Sequence, residues 1–261
     1  MPQKAKLGQN FLVDPSARIR IVEALGDISQ KTVVEIGPGK AAITELLAQR
    51  ARKLIAVELD RELAPLLSEK FTDAPVEIIE QDILTVDLAA LRGSSEDKLL
   101  VVGNLPYYIT SDILLHLFRY HDAISRAVVM MQREVGDRVA AAPGSSDYGS
   151  LSATTQLYAK VEDLLTLPPN AFSPPPKVHS SVLRLTFAPR FEELHVDPQG
   201  FIAFLRQCFA QKRKTLANNL RAAGVEAARI SAAAASAGIS PLARAEALPL
   251  EAMAKLYRSL K

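Results

Sequence analysis

At 261 residues with 48% apolar side chains, the chain can bury a sizeable core, which excludes an intrinsically disordered protein. The lone cysteine, Cys208, excludes an internal disulfide framework, and four scattered histidines offer no metal-ligand spacing. The net charge of +2 is unevenly spread, because Pro189–Lys261 carries 11 Lys/Arg against 6 Asp/Glu.

The chain opens with MPQKAKLGQNF, which lacks the apolar stretch of a secretory signal. No apolar run approaches the roughly 20 residues of a membrane span. The expectation is a soluble cytoplasmic monomer with no membrane partner. Lys4, Lys6, Arg18 and Arg20 stand here against Asp14 alone, so both ends of the chain are basic. Basic ends attract a polyanion, although solvated helix faces account for such charges equally well.

From about Lys31 to Glu134, β-branched runs (KTVVEIG, KLIAVELD, VEIIEQD, KLLVVGN, AVVMMQ) alternate with helix-period segments such as AAITELLAQRA and RELAPLLSEKF. The runs are apolar on both faces, as expected of a parallel sheet covered on both sides, so the fold class is a doubly wound, Rossmann-like α/β sheet. AKVEDLLTL and KVHSSVLRLTF, joined by PPNAFSPPP, predict an antiparallel ending. After Pro189 only helical patterns remain. Two domains are expected, an α/β domain over 1–189 and a small helical one over 190–261.

Three acidic residues end successive strands. Glu35 precedes the turn Gly37-Pro38-Gly39, where a helix start leaves backbone N–H groups unpaired. The spacing Gly37-x-Gly39-x-Ala41 lacks a third glycine, and proline removes a donor, so a phosphate cradle is a poor match. Glu58 follows 19 residues after Gly39, where a ribose-binding acid is expected, and Asp82 ends the third strand. One such acid is as often a helix cap. Together they describe a pocket for a nucleoside bearing a cationic or zwitterionic group, and S-adenosylmethionine fits it.

VVGNLPYYIT ends the fourth strand on the same crevice. Asn104 offers an amide and Leu105 a carbonyl, Pro106 fixes the turn, and Tyr107 provides a face for a base. Two acceptors holding an exocyclic amine favour a pyramidal nitrogen with its lone pair aimed at a sulfonium methyl. By strand alternation Tyr108 faces away. In the helical region Lys212, Arg213 and Lys214 open a helix, against its macrodipole, which favours contact with phosphates. Arg133 and Arg138 serve as RNA contacts or surface charges equally well.

NLPY after a strand resembles the catalytic motif of S-adenosylmethionine-dependent adenine amino methyltransferases. GQNFLVD (8–14), EIGPGKAAIT (35–44), VELD (57–60), QDIL (81–84) and GNLPYYIT (103–110) follow the order of one family. That family is the rRNA adenine N6,N6-dimethyltransferases of the KsgA (RsmA) type, and PPNAFSPPPKVHSSVLRL with FAQKRKTLANNL extends the likeness. Lys40-Ala41 stands where many members have a glycine in second place. The resemblance implies a class I methyltransferase sheet in which Asn10 and Leu12 close over the cofactor. Gly37 and Gly39 would approach its methionine moiety, Glu58 the ribose and Asp82 the adenine, with Asn104 also at the cofactor. Tyr107 and Phe172 would stack on the target base, and no metal is used. The implied reaction converts S-adenosylmethionine to S-adenosylhomocysteine. Its substrate is two adjacent adenosines in a hairpin loop near the 3′ end of 16S rRNA, within an immature 30S particle. Three alternatives stay open: a large-subunit rRNA methyltransferase of the antibiotic-resistance type, a non-catalytic RNA-binding assembly factor, and, disfavoured by the glycine turn, a nucleotide-dependent dehydrogenase.

Overall fold

The computed structural model describes residues 9–93 and 96–261; Lys4, Lys6 and Gly8 lie outside the described residues. The chain divides into two compact units. One comprises the chain up to Gly136 with Lys160–Phe187, the other Asp137–Ala159 with Ala188–Lys261. The division therefore differs from a single boundary at 189/190, since Asp137–Ala159 groups with the later helices. Within that second unit Tyr148 meets the Phe209 ring edge-on at 6.0 Å, Tyr158 meets Phe191 at 5.2 Å, and Gly144 N–H donates to the Glu246 carbonyl at 2.7 Å. Such contacts are distant in sequence and leave no local pattern to read.

The elements in chain order begin with β1 (Phe11–Leu12), α1 (Pro15–Glu23), β2 (Thr32–Ile36), α2 (Thr44–Ala48), β3 (Lys53–Glu58), α3 (Leu63–Lys70) and β4 (Val76–Glu80). There follow α4 (Leu88–Arg92), β5 (Leu99–Asn104), α5 (Thr110–Arg119), β6 (Ile124–Gln132), α6 (Arg133–Ala140), α7 (Ser150–Tyr158), β7 (Ala159–Leu167), β8 (Phe172–Ser173) and β9 (Ser180–Phe187). Among the described residues seven strands form one sheet in the order β4-β3-β2-β5-β6-β9-β7. Strands β4 to β6 run parallel, and β9 pairs antiparallel with β6, from Arg126 opposite Thr186 to Gln132 opposite Ser180. This is the Rossmann-like sheet with an antiparallel ending that the strand patterns predict.

Period-two alternation sorts the strand residues. Val33, Leu54, Leu100, Val102, Val128 and Met130 pack in one cluster with Ile21 and Val22 of α1, Leu25 just after it and Leu47 of α2. Their neighbours Val34, Ile55, Val57, Val101 and Val129 are equally buried, so both faces are covered. Each such side chain contributes about 1.5–3 kcal/mol by leaving water. Strand β2 lies between β3 and β5, with Ile36 opposite Val57 on one side and Gly103 on the other. The chain leaves β2 toward β3 and later returns to β5, and a crevice opens at the carboxyl ends of such a switch in strand order.

Helix α2 is shorter than the pattern AAITELLAQRA predicts. Ala41 has φ +66°, which no right-handed helix admits, so the helix begins only at Thr44.

In the second unit, α8 (Pro198–Cys208), α9 (Leu216–Ala222), α10 (Ala227–Ala237) and α11 (Leu250–Ser259) complete the chain. Buried Asn219 ties α9 to α8 by donating to the Cys208 carbonyl at 2.7 Å. Gly238, at φ +71°, closes α10. Lys212, Arg213 and Lys214 do not open a helix. They lie in an exposed turn ahead of it, because Thr215 caps α9 by accepting from Asn218 N–H at 3.3 Å. Among the described residues no helix is long and apolar enough to cross a membrane.

Candidate active site

A cavity lies at the carboxyl ends of β2, β3 and β5, lined by Gln9–Leu12, Glu35, Gly37–Lys40, Ala42, Ile43, Glu58, Leu59 and Asn104–Tyr108. The topology brings together there all but two of the residues expected at the cofactor and target amine. The exceptions are Asp82 and Phe172.

The glycine turn forms its floor. Gly37 and Gly39 adopt φ +65° and +57°, a region that side chains rarely enter. A Cβ on Gly39 would meet the Phe11 ring at 2.9 Å, and Lys40 Nζ sits 4.7 Å from the centre of the same ring. Glycine is thus required both by the backbone turn and by the ring packed on it. Ala41 holds the left-handed conformation with its methyl buried beside Leu67 and Phe71, and that packing opposes a strain of about 1–2 kcal/mol.

Two carboxylates face this floor. Buried Glu58 accepts from Gly39 N–H at 3.0 Å through Oε2 and from Asp60 N–H at 2.9 Å through Oε1. Glu35 is only 2% exposed, and its Oε2 has no hydrogen-bond partner. Burial, the nearby Thr44 hydroxyl opposing and the Glu58 charge adding, pushes the Glu35 carboxyl up to about 8. A buried acid with a bare oxygen beside a second carboxylate favours a positively charged ligand.

The NLPY segment forms the opposite wall. Strand β5 ends at Asn104, and Leu105 N–H still donates to the Met130 carbonyl of β6 at 2.9 Å. The Pro106 carbonyl accepts from the Thr110 hydroxyl at 3.1 Å and from Ile109 N–H at 3.2 Å, so the turn leads directly into α5. The Asn104 amide nitrogen donates to the Asn10 carbonyl at 2.8 Å, which leaves Oδ1 as a free-standing acceptor direction. The Tyr107 hydroxyl lies 2.8 Å from Ser180 Oγ, and burial raises its pKa, so it is a neutral phenol. Tyr108 is not turned away beneath the site. It is 63% exposed and stands at the cavity wall. Strand alternation fails there because the strand has already ended at Asn104.

An N-terminal strap closes the third side. Gln9 donates to Asp60 Oδ2 at 3.1 Å, and Val13 N–H donates to the Ala171 carbonyl at 2.8 Å. Leu12 of β1 pairs with Phe172 of β8, and Arg18 donates to the Leu12 carbonyl at 3.0 Å. Asn10 and Leu12 both reach the cavity.

Phe172 itself is 3% exposed and packs in the core with Leu12, Leu165 and Leu167. Asp82 caps the turn after β4 by accepting from Leu84 N–H at 2.9 Å, and neither residue lines the cavity. Lys212, Arg213 and Lys214 belong to the second unit, where Lys212 Nζ donates to the Ser146 carbonyl at 2.7 Å. Sequence reasoning does not single out Gln9, Phe11, Leu59 or Ser180. All four fall inside GQNFLVD, VELD and KVHSSV, where a neighbour-by-neighbour reading of the motifs would raise them. Among the described residues no group of three or more His, Cys, Asp or Glu side chains is placed to hold a metal ion.

Comparison with known proteins places these residues in context. The family model described as ribosomal RNA adenine dimethylase matches residues 2–261. A protein of Acidobacterium capsulatum named ribosomal RNA small subunit methyltransferase A is 65% identical over 259 residues, covering 99% of this chain and 91% of that one. A protein of the same name from Koribacter versatilis is 54% identical over 271 residues, covering 99% and 95%. Among solved structures, the 23S rRNA methyltransferase ErmE superposes with TM-score 0.72 at 26% identity, covering 96% of this chain and 99% of that one. A dimethyladenosine transferase from Plasmodium falciparum gives TM-score 0.77 at 22% identity, covering 94% and 95%, which bears on the fold alone.

Proposed function

The chain belongs to the ribosomal RNA adenine dimethylase family, and on that premise we propose how its site acts and on which RNA. The substrate is a pair of adjacent adenosines in a hairpin loop near the 3′ end of 16S rRNA, each dimethylated at N6. The protein works as a cytoplasmic monomer on an immature 30S particle. S-adenosylmethionine, when bound, supplies an electrophilic methyl on a positively charged sulfur and leaves as S-adenosylhomocysteine. The bare Oε2 of buried Glu35 and the Gly37–Gly39 turn fit such a cationic ligand. Glu58 would exchange its backbone partners for the ribose hydroxyls. Asp82 would meet the adenine with the oxygen that does not cap the turn.

The observation that carries the reading is the Asn104 amide. Its nitrogen is committed to the Asn10 carbonyl at 2.8 Å, so its oxygen is the atom offered to an amine at the cavity. With the Leu105 carbonyl it would hold the two N–H groups of a target adenine. The nitrogen lone pair is then withdrawn from the ring and directed along one line of attack. The proton released after transfer passes to water, since no strong base is required. Tyr107 supports the extruded base, compensating for the stacking it loses. Phe172 would act as a second plate only after β8 parts from β1, because its ring is enclosed as it stands. Lys212, Arg213 and Lys214, exposed in their turn, would take phosphates.

The likeness to ErmE supports a second reading, methylation of large-subunit RNA, but 26% identity stands against 65% to the small-subunit enzyme. Mass-spectrometric mapping of both rRNAs, from cells with and without this protein, separates the two. Dimethylated adenosines that depend on the protein are expected in 16S rRNA, and methylation confined to large-subunit RNA would overturn the proposal.

A further inference from the structure

Tyr107 is held at both ends. Its backbone follows Pro106 in the turn between β5 and α5, and its hydroxyl meets Ser180 Oγ at 2.8 Å. Ser180 is fully buried at the first position of β9, where it pairs with Gln132, the last residue of β6. Strand β6 also pairs with β5 and sets Met130 opposite Asn104. The tip of the Tyr107 ring is therefore anchored to the sheet whose edge carries the Asn104 amide. A tyrosine tied only through its backbone can swing about two side-chain torsions. The bond to a buried strand residue removes most of that freedom.

We infer that Ser180 is a positioning residue for the target base: it fixes the plane of the Tyr107 ring and so sets the angle at which a stacked adenine presents its amine to Asn104. The inference rests on the reading of Tyr107 as the stacking face. Ser180 touches no reacting atom and acts through Tyr107. Phenylalanine at position 107 would keep the stacking face and lose the anchor. Alanine at 180 would remove the same bond from the other side while leaving a small buried residue in the strand.

Steady-state methyl transfer from labelled S-adenosylmethionine to unmethylated 30S subunits tests this with Ser180→Ala, Tyr107→Phe and the double variant. Loss of one neutral hydrogen bond predicts that each single variant lowers kcat/KM for RNA by about fivefold. The double variant should be no worse than either single one, with KM for S-adenosylmethionine unchanged in all three. A double loss near the product of the singles, roughly 25-fold on the same basis, would show that the two residues act independently and overturn the inference. So would unchanged single variants, or a loss that falls on the cofactor KM. If the wild type labels large-subunit RNA instead, the substrate assignment fails, and the same cycle run on that RNA still decides the role of Ser180.

Discussion

Replacing Gly103 by alanine tests the join between fold and site. An ideal Cβ at this position would lie 2.7 Å from the Ile36 carbonyl oxygen and 2.9 Å from Ile36 Cβ. Ordinary carbon–oxygen contact needs about 3.3 Å or more, so β2 and β5 would have to part by roughly 0.6 Å. Both are inner strands of the sheet, and Ile36 is buried, so neither backbone yields cheaply. Overpacking of this kind costs about 1–3 kcal/mol. Alanine returns about 0.4–1 kcal/mol by restricting the unfolded chain, leaving a net loss of about 1–2 kcal/mol. The strain falls one residue before Asn104. A 1 Å misplacement in an active site costs on the order of 100-fold, so about half that shift predicts roughly tenfold slower transfer. Urea denaturation and labelled methyl transfer to unmethylated 30S subunits measure the two effects. A variant with wild-type rate and stability within about 0.5 kcal/mol would refute the close approach of Gly103 to Ile36.

Three other perturbations address the chemistry directly. Glu35 has its pKa raised from 4.5 to about 8, so the folded protein holds this proton more tightly than the unfolded chain. Its contribution to stability is present below about pH 4.5 and is lost as pH rises toward 8. Glu35→Gln should remove that part of the slope in the cofactor-free protein; a Tm difference from wild type that stays constant from about pH 5 to 8 would refute it. Asn104→Ala should abolish detectable transfer, by at least about 100-fold. Its folding stability should fall by only about 1 kcal/mol, for the missing bond to the Asn10 carbonyl, and normal turnover would sink the role of the amide. Alanine at 212, 213 and 214 together should flatten the plot of log RNA affinity against log salt by about 2, since each phosphate left without its cation removes roughly 0.7 from the slope on single-stranded RNA. An unchanged slope would remove these residues from the interface.

The sheet is legible because each strand carries its own signal. Val33, Val34, Leu100, Val101 and Val102 are apolar on successive positions, and only a strand covered on both faces asks for that. The antiparallel ending follows from the long helix-free connection PPNAFSPPP. The course of Asp137–Ala159 is not legible, because it depends on Tyr148 meeting Phe209 and Tyr158 meeting Phe191, pairs that lie tens of residues apart. The start of α9 escapes a reading from charge for a local reason. Thr215 is a better cap than any of the cations before it, and the cap rather than the charge decides where the helix begins.

The site divides along the same line. Glu35, Glu58 and Asn104 can be placed at one crevice from sequence because a parallel sheet turns chain position into spatial position: residues at or next to the carboxyl end of each strand arrive at the same edge. Asp82 lies two residues past the end of β4 and caps the turn there, a use that a sequence position just after a strand cannot separate from ligand binding. What orients the chemistry obeys no such rule. The Asn104 amide is set by a carbonyl 94 residues away, and the Tyr107 hydroxyl by a serine 73 residues away. Neither partner needs a distinctive side-chain pattern, since one offers only its backbone and the other one small hydroxyl. The strand ends therefore identify the groups proposed to act, while the strap at Asn10 and the strand start at Ser180 supply the hydrogen bonds that hold two of them. Tyr108 follows from the same geometry: one residue beyond Tyr107 the chain is turning into α5, and its ring stands exposed at the cavity wall.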